Sequence, residues 1–316
     1  MRRYSATLIG YYGFGNLGDE LLLKACVDLL TQCGVEKSRI AVLSNNPDET
    51  AKTFGIDAFD RWKFAEILRV LRESERMIFG GGGIFQDRTS VKSCAWYWGI
   101  ARLAGLMGVK VYAVGQSVGP LRLRVSKILS GNALRLCGLV HVRDEKSRVI
   151  AESLGCKNVI EGLDLVMTIK PESVSTVGKK TLVNLRPCPE LEHYTEILRP
   201  HIDDDTIGAA MSQEDESALR LLGLREIVRV RNFSEAEELW CCAKRSAGMR
   251  LHFGVLSRIF RTPLAMMPYD LKVNEFAGQS GVPCITDEWK EPMMPREVPE
   301  SAGDIIGVFR RLLHRL

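Results

Sequence analysis

Val109-Lys110-Val111-Tyr112-Ala113-Val114-Gly115 is the stretch on which the fold turns. Its apolar side chains occupy both alternating sets, so both faces of the strand need cover, and a glycine closes it. Residues 94–107 before it read as an apolar helix. A basic helix at about 122–136 follows, then a second strand, Gly138-Leu-Val-His-Val-Arg143, and Asp144 is placed to cap a helix running to about Leu154. Strand, helix, strand, helix with buried strands is the pattern of a parallel sheet covered on both faces.

The same rhythm extends back to the start. Residues 4–10 read as a strand, and Leu21, Leu22, Ala25, Leu29 and Leu30 set a helical period over about 19–30. A strand at 39–44, helices near 48–53 and 61–73, and the short strand Met77-Ile78-Phe79 complete the half. The rhythm pauses between Val166 and Lys180, where Pro171, Ser173, Ser175, Thr176 and Gly178 cluster. It resumes with strands at 181–186, 206–210 and 226–230, the last followed by a helix that Ser234 and Glu237 would box. Helices after His252 and near 272–279 follow. The expected architecture is α/β, with two Rossmann-like parallel-sheet domains at 1–170 and 171–300 and a closing helix at 301–316 that packs across them.

A chain of 316 residues exceeds the size at which single cores stop growing, which agrees with two domains. No stretch approaches the run of apolar residues that a membrane span needs. Arg2 and Arg3 precede an apolar run, but Gly10-Tyr11-Tyr12-Gly13 interrupts it too early for a secretory leader, so a cytoplasmic protein is expected. Nine scattered cysteines fit buried thiols in a reducing compartment rather than a disulfide framework. The net charge of +4 is too small to imply nucleic acid. Two basic runs, Arg122, Arg124, Lys127 and Arg135, and Arg310, Arg311, His314 and Arg315, read as solvated helix faces or as peripheral contact with anionic head groups of an inner leaflet.

Three constellations carry candidate chemistry. Gly10-Tyr-Tyr-Gly13-Phe-Gly15-Asn16-Leu-Gly18-Asp19-Glu20 lies between a strand and a helix. Its glycines match the short dinucleotide spacing, but Asp19 and Glu20 would repel a pyrophosphate, and Asn16 and Asp19 suit a helix cap or a hydroxyl ligand. Gly80-Gly-Gly-Gly83 and Gly115-Gln-Ser-Val-Gly119-Pro120 each follow a strand, and such loops suggest a close approach to the backbone at the carboxyl edge of the sheet. Gly248-Met-Arg250-Leu-His252 joins a fork for carboxylate or phosphate to a side chain that moves protons near neutral pH. Tyr269-Asp270-Leu271-Lys272 and Arg143-Asp144 add further charge, and no metal-ligand spacing stands out.

In order and spacing, these segments together resemble the polysaccharide pyruvyl transferase family, in its branch acting on bacterial secondary cell-wall polymers. The resemblance implies a two-lobed, glycosyltransferase-B-like fold with the active site in the interdomain cleft, and transfer of a pyruvyl group from phosphoenolpyruvate to a sugar as a 4,6-ketal. It implies no cofactor beyond that donor and no metal. The acceptor it implies is N-acetylmannosamine in a polyprenyl-diphosphate-linked disaccharide. Carried over, Arg250 and His252 would be catalytic, and Arg143, Arg250, Leu251, His252 and Lys272 would hold phosphoenolpyruvate. Gly13, Gly15, Asn16, Gly18, Asp19, Gly81, Gly82 and Gln116 would face the acceptor. A nucleotide-sugar glycosyltransferase and a non-catalytic anion or lipid-carrier binder are the alternatives.

Overall fold

The structure is a computed structural model that describes residues 2–88, 90–174, 178–298 and 304–314. Ser175 and Thr176 of the expected linker, Arg315 of the basic C-terminal run, and residues 301–303 and 315–316 of the expected closing helix lie outside the described residues.

Two units are present. The first holds the chain up to Phe14, Leu22–Thr168 and the C-terminal helix, and the second holds Gly15–Leu21 and the chain from Ile169 to Glu300. In the first, a seven-stranded sheet has the order β3-β2-β1-β4-β5-β6-β7. The strands are β1 (Ala6–Ile9), β2 (Ile40–Ser44), β3 (Asp57–Asp60), β4 (Arg76–Phe85), β5 (Lys110–Val118), β6 (Cys137–Val142) and β7 (Val159–Glu161), all paired in parallel. Their covering helices are α1 (Leu17–Gln32, from Leu22 on), α2 (Pro47–Phe54), α3 (Phe64–Arg72), α4 (Val91–Leu106), α5 (Arg124–Arg135) and α6 (Glu145–Ser153). Asp144 caps α6 as expected, its Oδ1 accepting from Ser147 N at 2.7 Å.

In the second unit a five-stranded parallel sheet has the order β10-β9-β8-β11-β12. It is built from β8 (Lys180–Asn184), β9 (Thr206–Ala210), β10 (Glu226–Arg229), β11 (Ala243–Gly248) and β12 (Leu264–Met266). The intervening helices are α7 (Leu191–Leu198), α8 (Gln213–Arg220), α9 (Phe233–Cys241) and α10 (Leu251–Ile259), and α11 (Leu271–Ser280) follows β12. Both sheets therefore step outward from a central strand and then reverse, the arrangement that places a crevice at the carboxyl ends of the strands.

Two local expectations change. The cap of α9 is Asn232 rather than Ser234: Glu235 N donates to Asn232 Oδ1 at 3.0 Å, and the Glu235 carboxylate accepts from Arg231 N at 2.8 Å. The pair is shifted by two positions from the expected one and resembles a capping box, with Glu235 reaching back to the residue before the cap. The glycine run, read as a loop, lies inside β4, with Gly80 opposite Val114 and Gly82 opposite Gln116.

The closing helix is α12 (Asp304–His314). It buries Ile305, Val308, Phe309 and Leu312 and is grouped with the first unit. The carbonyls of Leu312 and Leu313 accept from Arg76 Nε and Nη2 at 3.0 and 2.7 Å, so the last turn's unsatisfied acceptors are met by a buried cation. Among the described residues no helix is long and apolar enough to cross a membrane. All nine cysteines are free thiols.

Candidate active site

The second sheet's carboxyl edge is built around Arg250, which ends the turn from β11 and stands at the N-cap of α10. Asn184, the last residue of β8, fixes that turn. Its Oδ1 accepts from Arg250 N at 3.0 Å and its Nδ2 donates to Ala209 O at 2.9 Å, tying β8, β9 and the chain after β11 together. The Arg250 side chain runs onto Asp215 in the first turn of α8, with Nε donating to Oδ2 at 2.8 Å and Nη2 to Oδ1 at 2.6 Å. Asp215 is fully buried. Ser212 Oγ and Glu214 Oε1 each accept from Nη2 at 2.6 Å. Burial opposes the charged guanidinium, but the bonds from Asp215 and Glu214 outweigh it and push its pKa above the ordinary arginine value.

His252 follows two residues later, in the first turn of α10. Gly18 lies directly against its imidazole, and a Cβ at that position would collide with the ring. Gly18 belongs to the head of α1, which is grouped with this unit through Gly15–Leu21. Leu17 N donates to Met211 O at 2.9 Å, and Arg229 Nη2 donates to Gly15 O at 3.1 Å. Asn16 caps the helix: its carbonyl accepts from Asp19 N and Glu20 N, and its Nδ2 donates to Asp19 Oδ2 at 2.6 Å. The absence of a side chain at Gly18 is thus what admits the imidazole beside the helix start.

Sequence reasoning missed the neighbour that carries charge toward solvent. Arg186, just beyond β8, donates to Tyr269 Oη at 3.0 Å and lies 4.9 Å from the centre of that ring, while its Nη2 reaches Glu214 Oε1 at 3.5 Å. Glu214 therefore bridges the buried Arg250 and the half-buried Arg186. Asn184, Ser212, Glu214 and Asp215 were also missed. The strand reading of 181–186 does put Arg186 at a strand end, the position that drew attention to Arg143. Lys272 is half-exposed, 3.7 Å from Asp270, and Asp270 caps α11 beside Tyr269. Of the expected anion-site residues, Arg250, Leu251 and His252 are together, and Lys272 pairs with Asp270, the sequence neighbour of the Tyr269 that Arg186 and Glu214 link to Arg250.

Arg143 is elsewhere. It is buried at the end of β6, with Nη1 donating to the buried Asp164 at 2.8 Å and Nε 3.8 Å from Asp144. A buried guanidinium held this way is a structural ion pair, which corrects its reading as an anion anchor. Gly81 and Gln116 are corrected as well. Gly81 has φ +84°, and the space beside it is filled by Leu22 of α1. Gln116 is fully buried and donates its amide N–H groups to Phe79 O and Val114 O at 3.0 and 3.1 Å, while its Oε1 is buried without a hydrogen-bond partner. Gly82 has φ +87° within β4, and Gly13 backs onto Ser44 and the main chain at Asn45 and Asn46. What approaches Gly81 is the side chain of Leu22, and what approaches Gly13 is the Ser44 hydroxyl with the neighbouring main chain. Among the described residues no group of three or more His, Cys, Asp or Glu side chains could hold a metal ion.

Residues 16–270 match the family model described as polysaccharide pyruvyl transferase. The chain belongs to the polysaccharide pyruvyl transferase family. No curated protein matches it. Among solved structures it is similar to the UDP-GlcNAc 2-epimerase of Methanocaldococcus jannaschii, at 11% identity over 97% of this chain and 99% of that one, with a TM-score of 0.65. It is also similar to the Neisseria meningitidis UDP-GlcNAc 2-epimerase bound to UDP-GlcNAc, at 10% identity over 98% and 92% with a TM-score of 0.59. Anabaena HepE in complex with UDP gives 11% identity over 98% and 90% and a TM-score of 0.56. These likenesses establish the two-lobed, glycosyltransferase-B-like fold. As a member of the pyruvyl transferase family on this fold, the protein is a sugar-modifying enzyme. The expected donor is corrected: the similar structures that name a ligand carry UDP or UDP-GlcNAc, and none names phosphoenolpyruvate.

Proposed function

We propose that this family member places a pyruvyl group as a cyclic ketal on an N-acetylhexosamine, and that the sugar arrives attached to a diphosphate. A nucleoside diphosphate and a polyprenyl diphosphate share that attachment. The observation that supports the reading is the lock of Arg250 onto Asp215 and Ser212, which fixes the start of α10 and with it His252 against Gly18. Ketal formation makes two C–O bonds from the pyruvyl carbon to two sugar hydroxyls while that carbon's bond to the donor's leaving oxygen breaks, and the two protons that the hydroxyls lose end on the parts of the donor, the departing oxygen group included. His252 is the side chain assigned to take one of them, a role general-base catalysis makes worth about 10²- to 10⁴-fold in rate. Arg186 and Lys272 are the cations assigned to the anionic groups, because Arg250 is already committed to Asp215.

The test incubates the full chain with UDP-N-acetylhexosamines or with a polyprenyl-diphosphate-linked disaccharide, together with a panel of pyruvyl donors. Mass spectrometry then follows the sugar. The expected result is an acid-labile pyruvyl ketal on one sugar, lost by about 10²-fold or more in His252→Ala at unchanged thermal unfolding. Interconversion of C2 epimers with no ketal, or full turnover in His252→Ala, overturns the reading.

A further inference from the structure

Between α3 and α4 of the first unit lies an apolar trough of about 450 Å³ that none of the chemistry above uses. Trp96, Ile67, Ile100 and Leu103 line it, and the exposed rings of Trp62 and Phe64 stand at its border. Arg61 also lines it. This arginine is 4% exposed, and among the described residues no carboxylate pairs with it. Its Nη1 donates to Gly10 O at 2.7 Å and its Nη2 to Tyr97 Oη at 3.5 Å, both neutral acceptors, and its Nε is buried without a hydrogen-bond partner. The guanidinium lies 4.2 Å from the ring centre of Trp96, 5.3 Å from that of Trp62 and 5.2 Å from that of Phe14. Trp62 is held in place by its own N–H, which donates to Asn45 Oδ1 at 2.8 Å.

Aromatic faces ease a buried cation but leave its net charge uncancelled, and in low dielectric that charge acts over the length of a small ligand. The trough has the size and the apolar lining of a small-molecule site, with one charged group in its wall. We propose that it binds the hydrocarbon chain of a phosphorylated amphiphile, taken as a single molecule, with the phosphate end toward Arg61. A neutral chain would fill the trough and leave the charge unanswered. Free phosphate would answer the charge and leave the aromatic walls wet. The inference stands apart from the reaction proposed above, and its test needs no turnover.

Gly99 of α4 supplies the test. It lines the trough, and a Cβ there meets nothing within 4 Å. Gly99→Leu therefore fills the trough while replacing a poor helix former with a good one. The experiment is calorimetric titration of the full chain with dodecyl phosphate below its micelle concentration, with dodecanol and with inorganic phosphate. Expected are saturable binding of dodecyl phosphate, binding of dodecanol at least about fivefold weaker, and none of inorganic phosphate. Gly99→Leu should weaken dodecyl phosphate by about tenfold or more at an undiminished thermal midpoint. Equal binding by Gly99→Leu and the native chain, equal binding of alcohol and phosphate ester, displacement by inorganic phosphate alone, or binding of none of the three overturns the proposal. His252→Ala should bind dodecyl phosphate like the native chain, which separates this site from the reaction.

Discussion

Arg143 and Arg250 are held by the same device in the two units. Each follows a strand on the far side of its sheet's central strand, the third there for Arg143 and the first for Arg250, each points its guanidinium at a buried aspartate, and each precedes a helix by a residue or two. From sequence both read as anchors for an anion. Their surroundings differ. The charge of Arg143 is spent on Asp164 and the helix cap Asp144, all of them buried. Around Arg250 the network continues outward through Glu214 to Arg186 and Tyr269, and His252 begins the next helix. The same device is a plain fastening in one unit and the root of a charged, reachable cluster in the other. An arginine after a strand is therefore a weak sign of a ligand until its aspartate has been found.

The comparison can be broken at the aspartates. Asp164→Ala and Asp215→Ala each strand a buried guanidinium, so each should cost about 3–5 kcal/mol of stability, read by denaturant unfolding. The two should part in turnover measured at a temperature where both remain folded. Asp215→Ala should lose most of the ketal-forming activity because the start of α10 is released, and Asp164→Ala should keep it. Equal loss in both would remove the distinction drawn here.

Next in size is an acid effect confined to the first unit. His141 is buried, its Nδ1 accepts from Gly115 N at 3.0 Å, and a Cβ on Gly162 would collide with the far side of its ring. Burial lowers its pKa from 6.5 to about 4, against the opposing pull of Asp164 and Asp304. The unfolded chain takes up this proton below 6.5 while the folded chain refuses it until about 4, so stability falls with pH across that window. The loss levels off near about 3 kcal/mol. His141→Asn, which can still accept from Gly115, should flatten the slope of unfolding free energy between these pH values.

The parallel α/β class of both units was legible because most strands announce themselves as apolar runs between helical periods, as at 109–115 and 138–143, whereas the short strands β3, β7 and β12 and the charged β11 carry no such run. Asp144 was legible as a cap because its role is local. The glycines of β4 were not, since what fills the space beside Gly80 and Gly81 is Tyr12, Cys26 and Leu22, close in space and some sixty residues away in sequence. Asp215 was hidden for the same reason, as one acid among three at the start of α8. A motif shows which residue types are gathered, and the partners that neutralise them come from other strands.

Two glycines sharpen the contrast further. Gly18→Ala should push the imidazole of His252 aside. A displacement of that order costs about 10²-fold in turnover when the displaced group is catalytic, with little change in unfolding. Gly81→Ala meets the side chain of Leu22 and a left-handed φ, so it should cost about 1–3 kcal/mol of stability and leave the turnover of the folded protein intact. Exchanged outcomes would place the working edge on the first sheet instead.

The smallest effect falls on Glu214, the acid that joins the buried and exposed parts of the second cluster. It is half-exposed, so Glu214→Gln should change stability by less than about 1 kcal/mol despite the 2.6 Å contact with Arg250. Its charge matters more than its bond. One carboxylate oxygen serves both Arg250 and Arg186, and removing that negative charge leaves Arg186 as an uncancelled cation beside Tyr269. Titration of UDP into Glu214→Gln at low ionic strength should show tighter binding by about threefold, with the gain fading as salt shortens the reach of the charge. Weaker binding would mean that Glu214 orients Arg186 for its ligand instead of competing for it, and the acid would then belong to the binding geometry.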